Sequence, residues 1–472
     1  MRARMRSRPL AALCGALCAA FLTTFPGVRA AEASRTQTWL VVSDIHLDPF
    51  NHWSDPSLPG SDSNVALFFS AVSEMRRKVP NPSIVLLPGD FLAHNFPTLV
   101  RRQGPGASVD AAGLTTMRFI EAAFGHAYPH ARFAIALGNN DASCGDYHAD
   151  VADDYLASVG RVWAPLIARE GAAPSFQRSF SGGGYYTAAL PLRGFRLVVL
   201  NTILFSSEFK GACNGDATDA ARDELAWIRA TLASTPSGMH NVVMMHVPPG
   251  YDAFTTQVVK GFLPWAFLNA NDNASLIAEL SEQRDRLAFA IGGHTHRFDF
   301  RLIDGVPMLV FASISPVYRN NPSFYALEIA GDGSLRDIDV YTYDEWNGQW
   351  SAARSFDREW SVNGINRATL ERIHERLGAD RAMRRRWDIA SSGWPSNPAV
   401  MWPAWGTLWR ASWCAQTVMQ AGFAQCAGIY RRVTLGRLVV GSFIVGGIAL
   451  AALLALLGFR ALRASSFADR RL

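Results

Sequence analysis

Seven side chains at five places along the chain have the chemistry to hold a pair of metal ions. Asp44 and His46 follow an apolar run at 39–43, and Asp90 follows another at 84–88, with His94 four residues further on. Asn139, Asn140 and Asp141 follow 133–137, His246 follows 242–245, and His294 and His296 follow 288–291. Imidazoles, carboxylates and an amide oxygen suit borderline divalent cations, Zn²⁺ first, with Fe²⁺ or Mn²⁺ as alternatives. Two such ions about 3.5 Å apart clamp a phosphoryl group and supply hydroxide near neutral pH. Asp44 and His46 are two residues apart, so an extended chain would turn both to one face, and the same holds for His294 and His296. One carboxylate can bridge two ions, and Asp90 is the natural candidate. Any one of these fragments occurs by chance in many chains; five in succession, each at the end of an apolar run, do not.

The five runs are short, rich in β-formers and ended by Gly, Pro or polar residues, which predicts buried strands. Ligands at strand ends share one rim of a sheet, where loops diverge and a site can form. Helices are predicted between the strands. The stretch 64–78 carries Val65, Phe68, Phe69, Val72 and Met75 at helical spacing, and 219–232 repeats the pattern with Leu225, Ile228 and Leu232. The Pro-, Gly-, Ser- and Asp-rich stretch 50–63 predicts a loop on the active-site side.

The order Asp44-x-His46, Gly89-Asp90, Gly138-Asn139, His246 and Gly293-His294-x-His296 resembles the calcineurin-like metallophosphoesterases over about residues 39–345. The resemblance implies an α/β (α+β) fold in which two β-sheets pack face to face between helices, a four-layer αββα sandwich. It implies one metal on Asp44, His46, Asp90 and His296, and a second on Asp90, Asn139, His246 and His294. The stretch 89–94 with its terminal His94, the run from His246 to Gly250, and 315–324 look like the acid sphingomyelinase-like and endopolyphosphatase-like members. Such proteins are secreted or lumenal and carry a helical, cysteine-containing C-terminal region. On this resemblance Tyr318, Asn320 and Asn321 are expected to touch substrate, as is His94.

One position departs from the family. Its third block usually reads Gly-Asn-His-Asp/Glu, and that His protonates the leaving group; here the residue is Asn140, whose amide cannot act as an acid. Either the activity is degenerate and the chain only binds metal or phosphate, or the proton comes from elsewhere. His94 is the substitute, placed with Asn140 and Asp141 in the expected catalytic set. A phosphate leaving from an anhydride needs no such proton, since its second pKa lies near about 6. The departure therefore tilts the expected substrate towards polyphosphate or nucleotides, with a sphingomyelin-like lipid phosphodiester as the alternative.

The ends carry addresses rather than chemistry. Residues 1–30, with five Arg, an apolar run and a small-residue site ending at Ala30, predict a signal peptide. Residues 438–459 lack any charge and are long enough for a transmembrane helix, leaving 460–472 as a short basic cytoplasmic tail. The expected product is a single-pass membrane protein with its catalytic domain, 31–345, outside the cytoplasm. Cys144, Cys213, Cys414 and Cys426 remain after the leader is removed, and the expected pairs are Cys144 with Cys213 and Cys414 with Cys426. Residues 346–437 hold nine of the 14 tryptophans and helical patterns such as 367–386. They form either a cap resting on the bilayer interface or a helical subdomain packed on the core. The net charge of +5 does not mark a nucleic-acid surface, because residues 31–345 hold 23 basic and 33 acidic residues.

Overall fold

The computed structural model describes residues 36–56, 59–167, 173–260, 263–397 and 409–429. The expected signal peptide, transmembrane helix and basic tail lie outside the described residues. Among the described residues, no helix is long and apolar enough to cross a membrane.

Thirteen strands are described: β1 (Thr36–Val41), β2 (Ile84–Leu87), β3 (Arg132–Ile135), β4 (Tyr186–Ala189), β5 (Phe195–Val199), β6 (His240–Met244), β7 (Leu287–Gly292), β8 (Asp299–Ile303), β9 (Val306–Val310), β10 (Ser323–Ala330), β11 (Leu335–Asp344), β12 (Gln349–Trp350) and β13 (Arg354–Ser355). One sheet runs β12-β11-β10-β1-β2-β3, with β13 also on β11; the other runs β4-β5-β6-β7-β9-β8. In the first sheet β1, β2 and β3 are parallel neighbours. In the second, β5, β6, β7 and β9 are parallel. Parallel strands covered on both faces need apolar side chains throughout, which is why β2 reads Ile-Val-Leu-Leu and is wholly buried.

The sheets pack face to face, with Trp39 of β1 against Phe289 of β7 at 6.1 Å between ring centroids. Outside the first sheet, the helices Val65–Lys78 and Val109–Ala127 bury Phe68, Met75, Met117 and Phe124 in the same apolar cluster as β1–β3. Outside the second, Ala220–Ala233 and Ala270–Glu282 place Ile228, Leu232, Leu276 and Leu280 in a separate cluster with Val243 and Met245. The result is a mixed α/β sandwich of two sheets between helices. The helix expected from residue 64 starts at Val65 because Asn64 is its cap: the Asn64 side chain accepts from Leu67 N–H.

Two expectations change in the C-terminal part. β12 and β13 pair with β11 across the expected boundary at 345, so the sheet continues to Ser355. The helical pattern 367–386 is two helices, Arg367–Ala379 and Arg381–Ser391. Asp380 between them is extended, at φ −113° and ψ 119°, and its side chain caps the second helix at Ala382 N–H. The tryptophans described here mostly face inward: Trp360 and Trp387 are buried against each other, and Trp387 packs on Phe300 of β8. These helices are packed on the catalytic core.

Candidate metal centre

Strands of both sheets end on one rim, and the loops that follow are tied to each other. Asp44 N–H donates to Gly89 C=O at 3.1 Å, His46 N–H to Asp90 C=O at 2.9 Å, and Gly293 N–H to His246 C=O at 3.0 Å. Close approach of this kind dictates the glycines of the motifs. A Cβ on Gly138 would stand 2.0 Å from Asp90 Oδ1, and one on Gly293 would stand 2.3 Å from Ser43 Oγ. The paired spacing in Asp44-x-His46 and His294-x-His296 works differently from the extended chain expected. Strand β1 ends at Val41 and β7 at Gly292, and the site residues sit beyond them in left-handed turns. Asp44, His46, Asp90, His294 and His296 have φ of 50°, 43°, 58°, 72° and 56°. Such backbone costs of order 1–3 kcal/mol per residue and persists where the surroundings over-determine it.

The turns bring the seven side chains into two groups that share Asp90. In the first, His46 Nε2 lies 3.2 Å from Asp90 Oδ2 and 3.9 Å from Asp44 Oδ1, while His296 Nε2 lies 3.0 Å from His46 Nε2 and 3.5 Å from Asp44 Oδ1. In the second, His246 Nε2 lies 3.2 Å from Asp90 Oδ2 and 3.1 Å from Asn139 Oδ1, and His294 Nδ1 lies 2.8 Å from the same amide oxygen. His46 Nδ1 faces Leu92 C=O at 3.1 Å and His246 Nδ1 faces Pro88 C=O at 3.0 Å. A carbonyl on Nδ1 fixes the proton there and leaves Nε2 with its lone pair aimed into the cluster, as metal-ligating histidines are held.

This donor set fits a cation. With Nδ1–H of His46 donated to a carbonyl, its Nε2 lone pair points at His296 Nε2, and that of His246 points at an amide oxygen. Lone pairs set face to face in a buried site call for protons or a metal between them. The electrostatics agree. Burial would depress His46 and His246, but the Asp90 carboxylate holds them up to about 10 and about 9. Burial would raise Asp90, yet His246 and His46 hold it well below the usual carboxylate range. Burial, then the His246 charge, pushes His294 down to about 3, and burial with His46 depresses His296.

The third block plays a different part from the catalytic one expected. Asp141 spends its carboxylate on four backbone N–H groups: Gly138 and Asp90 at 2.7 and 3.0 Å, Phe91 and Leu92 at 2.7 and 3.2 Å. It fastens the Asn139 loop to the Asp90 loop and is unavailable to substrate. Asn140 is buried, and both its backbone N–H and its Nδ2 donate to Asp90, at 2.8 and 3.0 Å. It orients the shared carboxylate.

His94 stacks on His46 with ring centroids 4.1 Å apart. Its Nδ1 is 2.8 Å from Asp62 Oδ1, and its backbone N–H donates to Asp62 Oδ2 at 2.9 Å. Asp62 was not singled out from the sequence; its only signal was membership of the polar loop 50–63. Burial would raise the Asp62 carboxyl, but the His94 hydrogen bond and the His46 charge hold it below its ordinary value. Of the three residues of 315–324 expected to touch substrate, Tyr318 lies beside the cluster, its ring edge-on to His296 at 4.7 Å. Asn320 and Asn321 do not reach it. Both are buried, with Asn320 Nδ2 on Ser313 Oγ at 2.9 Å and Asn321 Nδ2 on Gly393 C=O at 3.0 Å, where they shape the loop.

His94, His294 and Tyr318 open onto a cavity of about 400 Å³ whose walls include Tyr147, Phe254, Trp265 and Phe267. Its acids, Asp146, Glu208, Asp252 and Asp299, were also missed, since isolated carboxylates carry no pattern. Of its two arginines, Arg297 faces Asp388 at 3.7 Å and Arg301 faces Asp299 at 2.8 Å. A disulfide joins Cys144, three residues past Asp141, to Cys213, and a second joins Cys414 to Cys426.

A two-sheet α/β sandwich with a histidine–carboxylate cluster at its rim is the architecture of a metal-dependent hydrolase, and the family it belongs to makes it a phosphoester hydrolase. The calcineurin-like phosphoesterase family model matches residues 38–298, and the chain belongs to that family. The chain is 26% identical over 357 residues to "Sphingomyelinase phosphodiesterase D" of Dictyostelium discoideum, covering 71% of this chain and 74% of the relative. It is 30% identical over 181 residues to "Sphingomyelinase phosphodiesterase C" of the same organism, covering 37% and 36%. Among solved structures it is similar to a putative 5'-nucleotidase from Staphylococcus aureus (13% identity, TM-score 0.36, 70% of this chain and 55% of that one). It is also similar to GAP50 of Plasmodium (11% identity, TM-score 0.37, 71% and 90%).

Proposed function

We propose that the chain hydrolyses phosphodiesters with two divalent ions, Zn²⁺ favoured, one on Asp44, His46, Asp90 and His296 and one on Asp90, Asn139, His246 and His294. The ions supply Lewis-acid polarisation of the phosphoryl oxygens and an activated water. The protein's own contribution begins with Asp90, whose Oδ2 is equidistant from His46 and His246 and ties the two halves together. Asn140 and Asp141 hold that carboxylate and its loop in place. With Nδ1 engaged by Asp62, His94 keeps Nε2 for the cavity, where it donates a proton to the departing oxygen.

One observation carries the substrate class: the cavity beside these ligands is lined by aromatic rings and carboxyls, and both its arginines are already matched to carboxylates. A polyanion would meet Asp146, Glu208 and Asp252 with no free cation among the described lining residues. A phosphodiester with an apolar or cationic substituent meets rings and acids suited to it. This reverses the preference for polyphosphate drawn from Asn140 and favours a sphingomyelin-like lipid phosphodiester, in keeping with the names of the two relatives. The two disulfides support an extracytoplasmic location, and anchoring through 438–459 is part of the same proposal.

The test is a substrate panel on metal-loaded protein: sphingomyelin in vesicles, bis-p-nitrophenyl phosphate, ATP and polyphosphate. Turnover of the two diesters well above the anhydrides is expected. Turnover of polyphosphate alone would overturn the substrate class, and no turnover of any of the four with two metals bound would overturn the enzyme.

A further inference from the structure

The segment between β6 and the helix Ala270–Glu282 carries aliphatic side chains that the described fold leaves in the open. Val258, Val259 and Leu263 are 59%, 61% and 62% exposed. Between them Lys260 places its ammonium 3.9 Å from the centre of the Trp265 ring. The same segment forms one wall of the cavity through Phe254, Val259 and Trp265, so its apolar side chains stand at the cavity's mouth. Exposed aliphatic residues gathered on a short stretch beside a binding cavity mark an interaction surface rather than scattered surface apolarity.

What that surface meets is indicated by where the chain goes. The root of the segment is packed by the C-terminal helices: the Tyr251 and Phe423 rings stack at 4.1 Å and 6°. Asn273 Nδ2 donates to Met419 C=O at 2.7 Å, and Met419 lies against Gly250. Tyr251 and Ala253 join the apolar cluster of Ala411, Cys414, Phe423 and Ile429, which the Cys414–Cys426 disulfide closes. The described chain stops at Ile429, inside that cluster, and eight residues, 430–437, separate it from the uncharged run 438–459. Eight residues span at most about 30 Å. A bilayer holding that run therefore lies within about 30 Å of the cluster on which the exposed segment is rooted.

We propose that Val258, Val259 and Leu263 dip into the headgroup–acyl boundary of the bilayer that holds 438–459, setting the cavity's mouth on the membrane surface. A lipid phosphodiester then reaches His94 and the metal ligands without leaving the bilayer. Lys260 stands where an ammonium meets the lipid phosphates. The proposal rests on the lipid phosphodiesterase reading, and its test separates the two.

The full chain is reconstituted in phosphatidylcholine vesicles containing sphingomyelin, with an environment-sensitive fluorophore on Leu263→Cys or, as control, on Phe69→Cys at the far helix Val65–Lys78. Quenching of the Leu263 probe by doxyl-labelled lipid, with the Phe69 probe quenched only by aqueous iodide, is expected. A Leu263 probe open to iodide, or both probes quenched alike by lipid, overturns the proposal. So does a Leu263 probe shielded in detergent by a second copy of the chain. The pair Val258→Asp and Leu263→Asp is expected to lower turnover of vesicle sphingomyelin about tenfold while leaving soluble bis-p-nitrophenyl phosphate unchanged. Equal effects on both substrates would overturn it. If the parent chain turns over neither, the catalytic reading fails, and the probe measurements still decide the docking.

Discussion

Replacing Asp62 by Asn tests whether His94 delivers the proton that Asn140 cannot. The carboxylate makes two contacts with one residue, 2.8 Å to His94 Nδ1 and 2.9 Å to its backbone N–H. Both need an acceptor, and an amide offers one oxygen and one NH₂. Whichever way the new amide turned, either the backbone N–H would face a donor or the ring would lose Nδ1–H as its preferred tautomer. In the second case Nε2, the nitrogen left for the cavity, would no longer carry the proton. General acids contribute typically about 10²–10⁴-fold. Losing tautomer and orientation while the ring remains should remove most of that, roughly 10²–10³-fold or about 3–4 kcal/mol of barrier. The loss should fall unequally. An alkoxide leaving group depends on the proton, whereas a nitrophenolate leaves without it. The assay is kcat/KM for a series of diesters of graded leaving-group acidity, comparing parent, Asp62→Asn and His94→Ala. A steeper dependence on leaving-group pKa in both variants is expected, with nitrophenyl diesters within a few-fold of the parent. Parallel lines, in which poor and good leaving groups suffer alike, would refute the acid role of His94 and make Asp62 a structural partner only.

Three further outcomes follow from the structure. Asp141→Asn puts an NH₂ among four N–H donors, so metal affinity should fall about 10–100-fold, as for other residues that orient ligands; activity should return at saturating metal, read by metal titration. Glu224 is wholly buried, accepts from Asn201 N–H at 2.7 Å and leaves Oε2 without a partner, and burial raises its carboxyl to about 8. The native state thus holds a proton that the unfolded chain gives up near about 4.3. Stability is full below that pH and lost as pH rises towards 8, so Glu224→Gln should gain up to about 3 kcal/mol at pH 7 and flatten the slope in urea melts between pH 5 and 8. Cys144→Ser with Cys213→Ser opens a loop of 69 residues and should cost about 4 kcal/mol in the same melts.

The sequence made the candidate ligands legible because each combines a chemically distinctive side chain with an apolar strand just before it. β1, β2, β3, β6 and β7 each lie within a few residues of the runs that predicted them, and rim placement then follows from the sheet. What the pattern could not show is backbone beyond the strand. Asp44 and His46 share a site through left-handed turns fixed by the neighbouring loops, and nothing local in Asp-Ile-His distinguishes that from extended chain. Asn320 and Asn321 illustrate the converse: polar residues in a loop near the site read as substrate contacts, yet buried loops need amides to satisfy their own backbone. Asp62, Asp146, Glu208 and Asp252 were invisible because an isolated acid has no period and no motif. Those unpatterned residues are also the ones that bear on substrate. The ligand cluster is what any two-metal phosphoesterase needs, so its chemistry cannot choose between an anhydride and a diester. In the reading proposed above the choice falls to the cavity, where acids and aromatic rings stand beside arginines already matched to carboxylates. Asn140 tilts the expectation towards anhydrides because a leaving phosphate needs no proton, although His94 already stands as a substitute acid. His94 is held by Asp62 against the ligand cluster, and on the mechanism proposed above it supplies the proton, so that a missing histidine at 140 would not constrain the leaving group.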